Sequence, residues 1–260
     1  MGSPRTHSQL GSSSVPGSRL QIYGRLDELD QLRQRVAERR PFLLHGPTGV
    51  GKTLLLSSVV PDFPDILYSP QNPTPQVLYR NLAELLLATG HPVLTGTCNG
   101  LSALQAKSAV SVKGLVRDAL LNSGYLVVLD HLARPSQSLA ASIRELMLHW
   151  SVPAIAVSRS AHMEDVGFVL PLFADRSEKV ALRNFATEDA HAFAARCADR
   201  EGLTADNLAL FLERIVEYSD GNPGAMLRMI HLAKDAKYFH QNQIKITPLY
   251  IDYKIAMVSQ

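Results

Sequence analysis

The sequence predicts an α/β protein: a parallel sheet between two layers of helices, followed by a small all-helical unit. Three observations carry this. Short apolar runs without alternation recur as far as Leu182, the pattern of strands covered on both faces. Stretches with helically spaced apolar residues separate them, and repeated β–α alternation argues for a parallel sheet sandwiched by helices. After Phe185 the strand-like runs stop and helix-patterned stretches take over.

Each element has its own signal. Met1–Arg19 is rich in Ser, Gly and Pro, has no apolar period, and is expected to be a disordered leader without a secretion signal. Leu26, Leu29, Leu32 and Val36 fall on one helical face, with Asp27 and Glu28 in the first turn. Phe42–His45 reads as the first buried strand and Lys52–Val60 as the helix after it. Asp65–Ser69 reads as a second strand. Asn72-Pro73-Thr74-Pro75 then opens a helix with Val77, Leu78, Leu82, Leu85 and Leu86 inward. Gly90–Gly100 reads as a loop and Leu104–Leu121 as an amphipathic helix. Tyr125–Leu129 is the most strand-like run. A helix over Ser136–Trp150 and strands at Ala154–Ser158 and Val180–Leu182 complete the core.

Three helices follow: one from Thr187, read as its N-cap, to Arg200, then Ala205–Tyr218 and Pro223–Lys234. The tail, Ile244–Val258, alternates as a strand does and reads as an edge hairpin or an oligomer contact. The expected division is leader 1–19, α/β core 20–186, helical domain 187–240 and tail 241–260.

Charge and cysteine usage exclude several classes. With 26 Lys+Arg against 24 Asp+Glu there is no global nucleic-acid signature. Cys98 and Cys197 lie far apart at no metal or redox spacing, as in a reduced cytosolic protein with buried thiols. No apolar run approaches the ~20 residues of a membrane span, so a cytoplasmic location is expected.

The chemistry concentrates in Gly46-Pro47-Thr48-Gly49-Val50-Gly51-Lys52-Thr53, a complete G-x-x-x-x-G-K-[ST] loop between strand and helix. Its glycines let successive N–H groups turn inward around an anion, and the following helix adds free amides and positive partial charge. Lys52 is placed to reach β- and γ-phosphates, the Thr53 hydroxyl to ligate Mg²⁺, and Leu54 continues the site into the helix. This makes the fold class the three-layer αβα sheet of P-loop NTPases and predicts a bound nucleoside triphosphate with Mg²⁺, without choosing among kinases, GTPases and ATPases.

Asp130 closes the Tyr125–Leu129 strand, where a carboxylate can reach the Mg²⁺ held by Thr53. His131 follows where many ATPases have a Glu that activates water. Histidine accepts a proton near neutrality but differs in shape and charge. Arg159, directly after the Ala154–Ser158 strand, is positioned to face a γ-phosphate. The catalytic candidates are therefore Lys52, Asp130, His131 and Arg159.

Taken together, these motifs resemble the AAA+ superclass of P-loop ATPases, especially its STAND branch, with archaeal-type ATPases and origin-recognition initiators close in pattern. The resemblance spans about residues 20–235. Tyr23-Gly24-Arg25-Leu26-Asp27-Glu28-Leu29 resembles the G-R-x-x-E-L opening segment, which implies that Tyr23, Gly24 and Arg25 line an adenine pocket. Gly46–Thr53 and Tyr125–Asp130 resemble Walker A and Walker B, and Val157-Ser158-Arg159 the sensor-1 arginine. Gly221-Asn222-Pro223 resembles the G-x-P motif of a helical lid, whose proline packs near the base. Two departures stand out: His131 at the acidic position, and Gly224 where many lids carry a sensor-2 arginine, with Arg228 one turn later.

The resemblance implies an ATP-dependent switch with slow hydrolysis, with ATP or ADP and Mg²⁺ as cofactors, acting on a protein partner or a second copy. A scaffold that holds nucleotide without turnover is the first alternative. A DNA-associated AAA+ ATPase is the second, with Lys234, Lys237, Lys245 and Lys254 as phosphate contacts and Ile66–Leu86 resembling replication or transposition ATPases. A small-molecule kinase is disfavoured by the absence of an Arg-rich lid.

Overall fold

In a computed structural model, residues 23–258 are described, and the expected leader lies outside them. Helix α1 (Leu26–Ala37) precedes β1 (Phe42–His45), and α2 (Lys52–Val59) leads to β2 (Ile66–Ser69). Next come α3 (Pro75–Ala88), α4 (Pro92–Thr95), α5 (Leu101–Gln105) and α6 (Ala109–Leu120). Then β3 (Leu126–Leu129), α7 (Gln137–Arg144), β4 (Ala154–Ser158), α8 (Met163–Val166) and β5 (Lys179–Ala181) complete the α/β layer.

All five strands are parallel, in the order β2-β3-β4-β1-β5. Side-chain parity sorts them between two cores. Phe42, Leu44, Leu126, Val128, Ile155 and Val157 pack with residues of α1 and α2 on one face. Leu43, Leu67, Val127, Leu129 and Ala156 pack with α3, α6 and α7 on the other. Because the strands are parallel, β1, β3 and β4 end at one edge. The phosphate-loop motif, Asp130 and Arg159 therefore emerge side by side.

Several elements differ from the sequence reading. The loop expected over Gly90–Gly100 contains the one-turn α4, with Pro92 at its start. The helix expected over Leu104–Leu121 is two, because Ser108 caps α6 by accepting from Ser111 N and so stops α5 short. The helix after Ser136 ends in a π-helical turn, Glu145–His149. Thr187 is the first residue of α9 (Thr187–Arg200) rather than its cap, which is Ala186 and makes no side-chain bond.

The larger correction is the tail. Only β6 (Phe239–His240) and β7 (Gln243–Ile244) pair, as a short antiparallel hairpin, and Ile246–Val258 is a helix, α12. Its apolar residues Ile246, Leu249, Tyr250 and Tyr253 follow helical spacing, and Pro248 sits in its first turn, where a proline is tolerated. Leu249 and Tyr253 are buried in one apolar cluster with α9, α10 (Leu208–Ser219) and α11 (Pro223–Leu232), around Phe211, Met226 and Ile230. Each unit buries one free thiol, Cys98 beside α3 and α6 and Cys197 within this helical cluster.

Candidate functional site

The phosphate-loop motif bridges β1 and α2. Val50 is buried and anchors the loop from below, while Pro47, Thr48 and Gly49 stay exposed. Gly51 precedes α2 with φ +102° and no side-chain cap, so the first amides of α2 are left for a ligand. Lys52 Nζ donates to Gly46 O (2.6 Å) and Pro47 O (2.9 Å), laying its ammonium across the loop. Burial holds the Lys52 pKa below its ordinary value, and the Asp130 carboxylate partly offsets this.

Asp130 is 2% exposed, and its carboxylate is the centre of the site. Oδ2 accepts from Thr53 Oγ1 (2.9 Å) and from Tyr68 Oη (2.5 Å), and Oδ1 accepts from the His131 backbone N–H (2.7 Å). His131 has φ +54°. Its ring is exposed with Nδ1 3.4 Å from Oδ1, so it is the backbone of His131 that holds the carboxylate. Tyr68 was not singled out by sequence. The signal was parity: Tyr68 pairs with Val128 across β2 and β3, and Asp130 is two residues beyond Val128 on the same face.

This donor set suits a magnesium ion that arrives with a nucleotide. Since the Thr53 hydroxyl gives its proton to Asp130, its lone pairs remain for a cation. Mg²⁺ characteristically takes one or two such protein oxygens plus phosphates and waters. Among the described residues, no group of three or more His, Cys, Asp or Glu is placed to hold a metal ion. Beside the loop is a cavity of about 620 Å³, lined by Lys52, Thr53, Leu54, Asp130, His131 and Arg159 among others.

Across that cavity Arg159 is exposed, with Nη2 3.5 Å from Asp165 Oδ1. Ser160 Oγ donates to Asp165 Oδ2 (2.5 Å), and Ser158 Oγ donates to Ser160 O (2.5 Å). The Ser160 hydroxyl, and then Arg159, hold the Asp165 carboxyl below the usual range. Asp165, absent from the sequence reading, thus gives Arg159 a resting partner.

The helical unit meets the loop from the other side. Gly224 N donates to Gly49 O (2.9 Å), and Asn222 Nδ2 donates to Thr48 O (3.0 Å) and Asn184 Oδ1 (3.1 Å). Asn222 Oδ1 caps α11 at Ala225 N (3.0 Å), with the buried Pro223 in its first turn. A Cβ on Gly224 would lie 2.7 Å from Gly49 Cα, so the contact exists because position 224 has no side chain. Arg228 reaches Met257 Sδ (2.7 Å) and lines a cavity of about 310 Å³ together with Thr48 and Gly49 of the loop.

The opening segment is fixed by its side chains. Arg25 is buried, donates to Glu28 (2.8 Å) and Arg183 O, and lies over the Phe185 ring. Arg196 lies over the Tyr23 ring, and Gly24 packs against Phe185.

No protein-family model matches the chain, and no curated protein matches it. Solved structures share its fold. The Walker-type ATPase PABY2304 of Pyrococcus abyssi gives a TM-score of 0.60 at 16% identity, over 92% of this chain and 74% of that one. The Orc1 protein of Aeropyrum pernix, solved in complex with DNA, gives 0.64 at 14%, over 94% and 68%. The RuvB Holliday junction branch migration motor of Thermotoga maritima gives 0.52 at 14%, over 89% and 69%. At these identities the likeness is one of fold: a parallel αβα layer with a helical C-terminal part.

Proposed function

We propose that this chain binds ATP with Mg²⁺ between the α/β layer and the helical lid and acts as a slow, hydrolysing nucleotide switch. The observation that carries the reading is the Thr53–Asp130 hydrogen bond beside Lys52, a metal-ready pair at the mouth of a phosphate loop. Lys52 neutralises phosphate charge, exchanging its two carbonyl bonds for phosphate oxygens. The α2 amides and Gly46–Thr53 cradle the anion. Thr53 and Asp130 are the residues that would hold Mg²⁺, which would supply charge neutralisation for the phosphates. Arg159 leaves Asp165 for the γ-phosphate when ATP is present, which links nucleotide state to the β4–α8 loop.

Phosphoryl transfer asks for positioning and electrostatics more than for a strong base, so a site with His131 instead of Glu still turns over, slowly. Lid motion follows the loop because Gly224 and Asn222 bond directly to its carbonyls. A partner chain or a second copy would read that motion. The DNA-associated alternative gains nothing from the basic residues near the tail. Lys234 pairs with Glu201, Lys237 with Asp252, Lys245 bonds Lys237 O and Lys254 lies over Tyr250.

The test is nucleotide binding and phosphate release by wild type and Lys52→Ala with Mg²⁺. ATP binding with slow release in the wild type, and affinity at least ~100-fold weaker in the variant, is the expected result. Binding without release would move the reading to a nucleotide-holding scaffold. No binding by the wild type would overturn it.

A further inference from the structure

From this reading, we infer that Tyr68 is a positioning residue for the magnesium side of the site, holding Asp130 ready for the ion through its phenol hydroxyl. Among the described residues, it is the one side-chain donor to this carboxylate that lies outside the phosphate-loop motif.

The sheet places it there. In β2 the side chains of Ile66 and Tyr68 share the face packed on α2, while Leu67 belongs to the opposite core. β2 pairs with β3 in register, Tyr68 with Val128 and Ser69 with Leu129, and Asp130 N continues the ladder to Ser69 O (3.0 Å). Tyr68 therefore approaches Asp130 from the strand beside it, and Thr53 approaches from α2. The two hydroxyls meet on one oxygen, Oδ2.

The hydroxyl is the part that matters. The Tyr68 ring packs against the apolar cluster beneath it, as a phenylalanine would. Its oxygen supplies one of three hydrogen bonds to a carboxylate with almost no access to water. A buried carboxylate that loses a donor is left under-solvated and free to rotate. Here rotation would swing Oδ2 from Thr53 and misdirect the Thr53 lone pairs. Groups that orient a metal's near neighbours commonly govern its affinity as much as the ligands do. Neighbouring polar residues do not duplicate the role, since Ser69, Asn72 and Asn81 bond among themselves and to nearby carbonyls.

The experiment titrates MgCl₂ into wild type and Tyr68→Phe carrying a fluorescent ADP analogue, with a parallel affinity measurement in EDTA. ADP keeps the readout independent of turnover. Tyr68→Phe should raise the Mg²⁺ concentration at half-effect about tenfold while leaving EDTA affinity within about twofold. Asp130→Asn should raise it as well, and adding Tyr68→Phe to that variant should change little more, as expected of two groups acting as one. An unchanged Mg²⁺ midpoint in Tyr68→Phe would overturn the inference, as would independent effects of the two substitutions. An equal loss of affinity in EDTA would also overturn it by reducing Tyr68 to a packing role. Wild type that binds no ADP in either buffer would instead overturn the nucleotide reading itself.

Discussion

The two sides of the phosphate loop are built by opposite means. On the sheet side, position is set by side chains: Thr53, Tyr68 and the His131 amide converge on one buried carboxylate. On the lid side, the central contact is backbone to backbone, Gly224 N–H to Gly49 O, and depends on both residues lacking a side chain. The difference teaches that placing functional groups and joining two units of the fold obey different rules. The first needs functional groups, and the second needs close approach.

The sharpest way to break this contrast is Gly224→Ala. In a free helical first turn, alanine would stabilise the chain by up to ~1 kcal/mol. Against the loop, its Cβ would crowd Gly49 Cα at 2.7 Å and the Gly49 carbonyl oxygen at 2.8 Å. The expected outcome is a loss of about 2 kcal/mol in urea unfolding. A gain would mean that lid and loop do not touch in solution.

A smaller change separates the tether from the cap. Asn222→Asp keeps an oxygen for Ala225 N but loses the amide that donates to Thr48 O and Asn184. It should cost about 1 kcal/mol, against about 2 for Asn222→Ala, which loses the cap as well. Equal costs would assign Asn222 to the helix alone and remove it from the comparison.

The smallest effect belongs to the sheet side. Burial, followed by the positive surroundings of His162, Lys179 and Lys52, holds the pKa of His45 below its ordinary 6.5. The folded chain therefore keeps this ring neutral where the unfolded chain protonates it. Its cost is absent above the unfolded value and grows as pH falls through about 6.5, levelling off below the folded pKa. Unfolding at pH 7.5 and 5.5 should show a smaller acid-induced loss for His45→Gln than for wild type. Identical losses would remove His45 as an acid-sensitive point beneath the loop.

Much of the fold was legible because a parallel sheet writes itself as uniform apolar runs, and all five runs form strands. That Lys52, Thr53 and Asp130 would come together was legible because the loop follows β1, Asp130 closes β3, and parallel strands end at one edge. Tyr68 was hidden because its role depends on which strand lies beside β3, and sequence order does not state that β2 does. Asp165 was hidden similarly, as its partner Arg159 is reached through a loop whose path no pattern reveals. The tail was misread because alternation over a few apolar residues also satisfies a helix, and burial of Leu249 and Tyr253 against α9–α11 decides between them.

The placement of the two cysteines gives the molecule a built-in pair of clocks. Cys98 is sealed in the α/β layer and Cys197 in the helical cluster, where burial raises its thiol pKa and slows its chemistry further. A thiol reagent can reach either one only when the structure around it opens. The two labelling rates therefore time the breathing of each half separately in the unmodified chain, without an introduced probe.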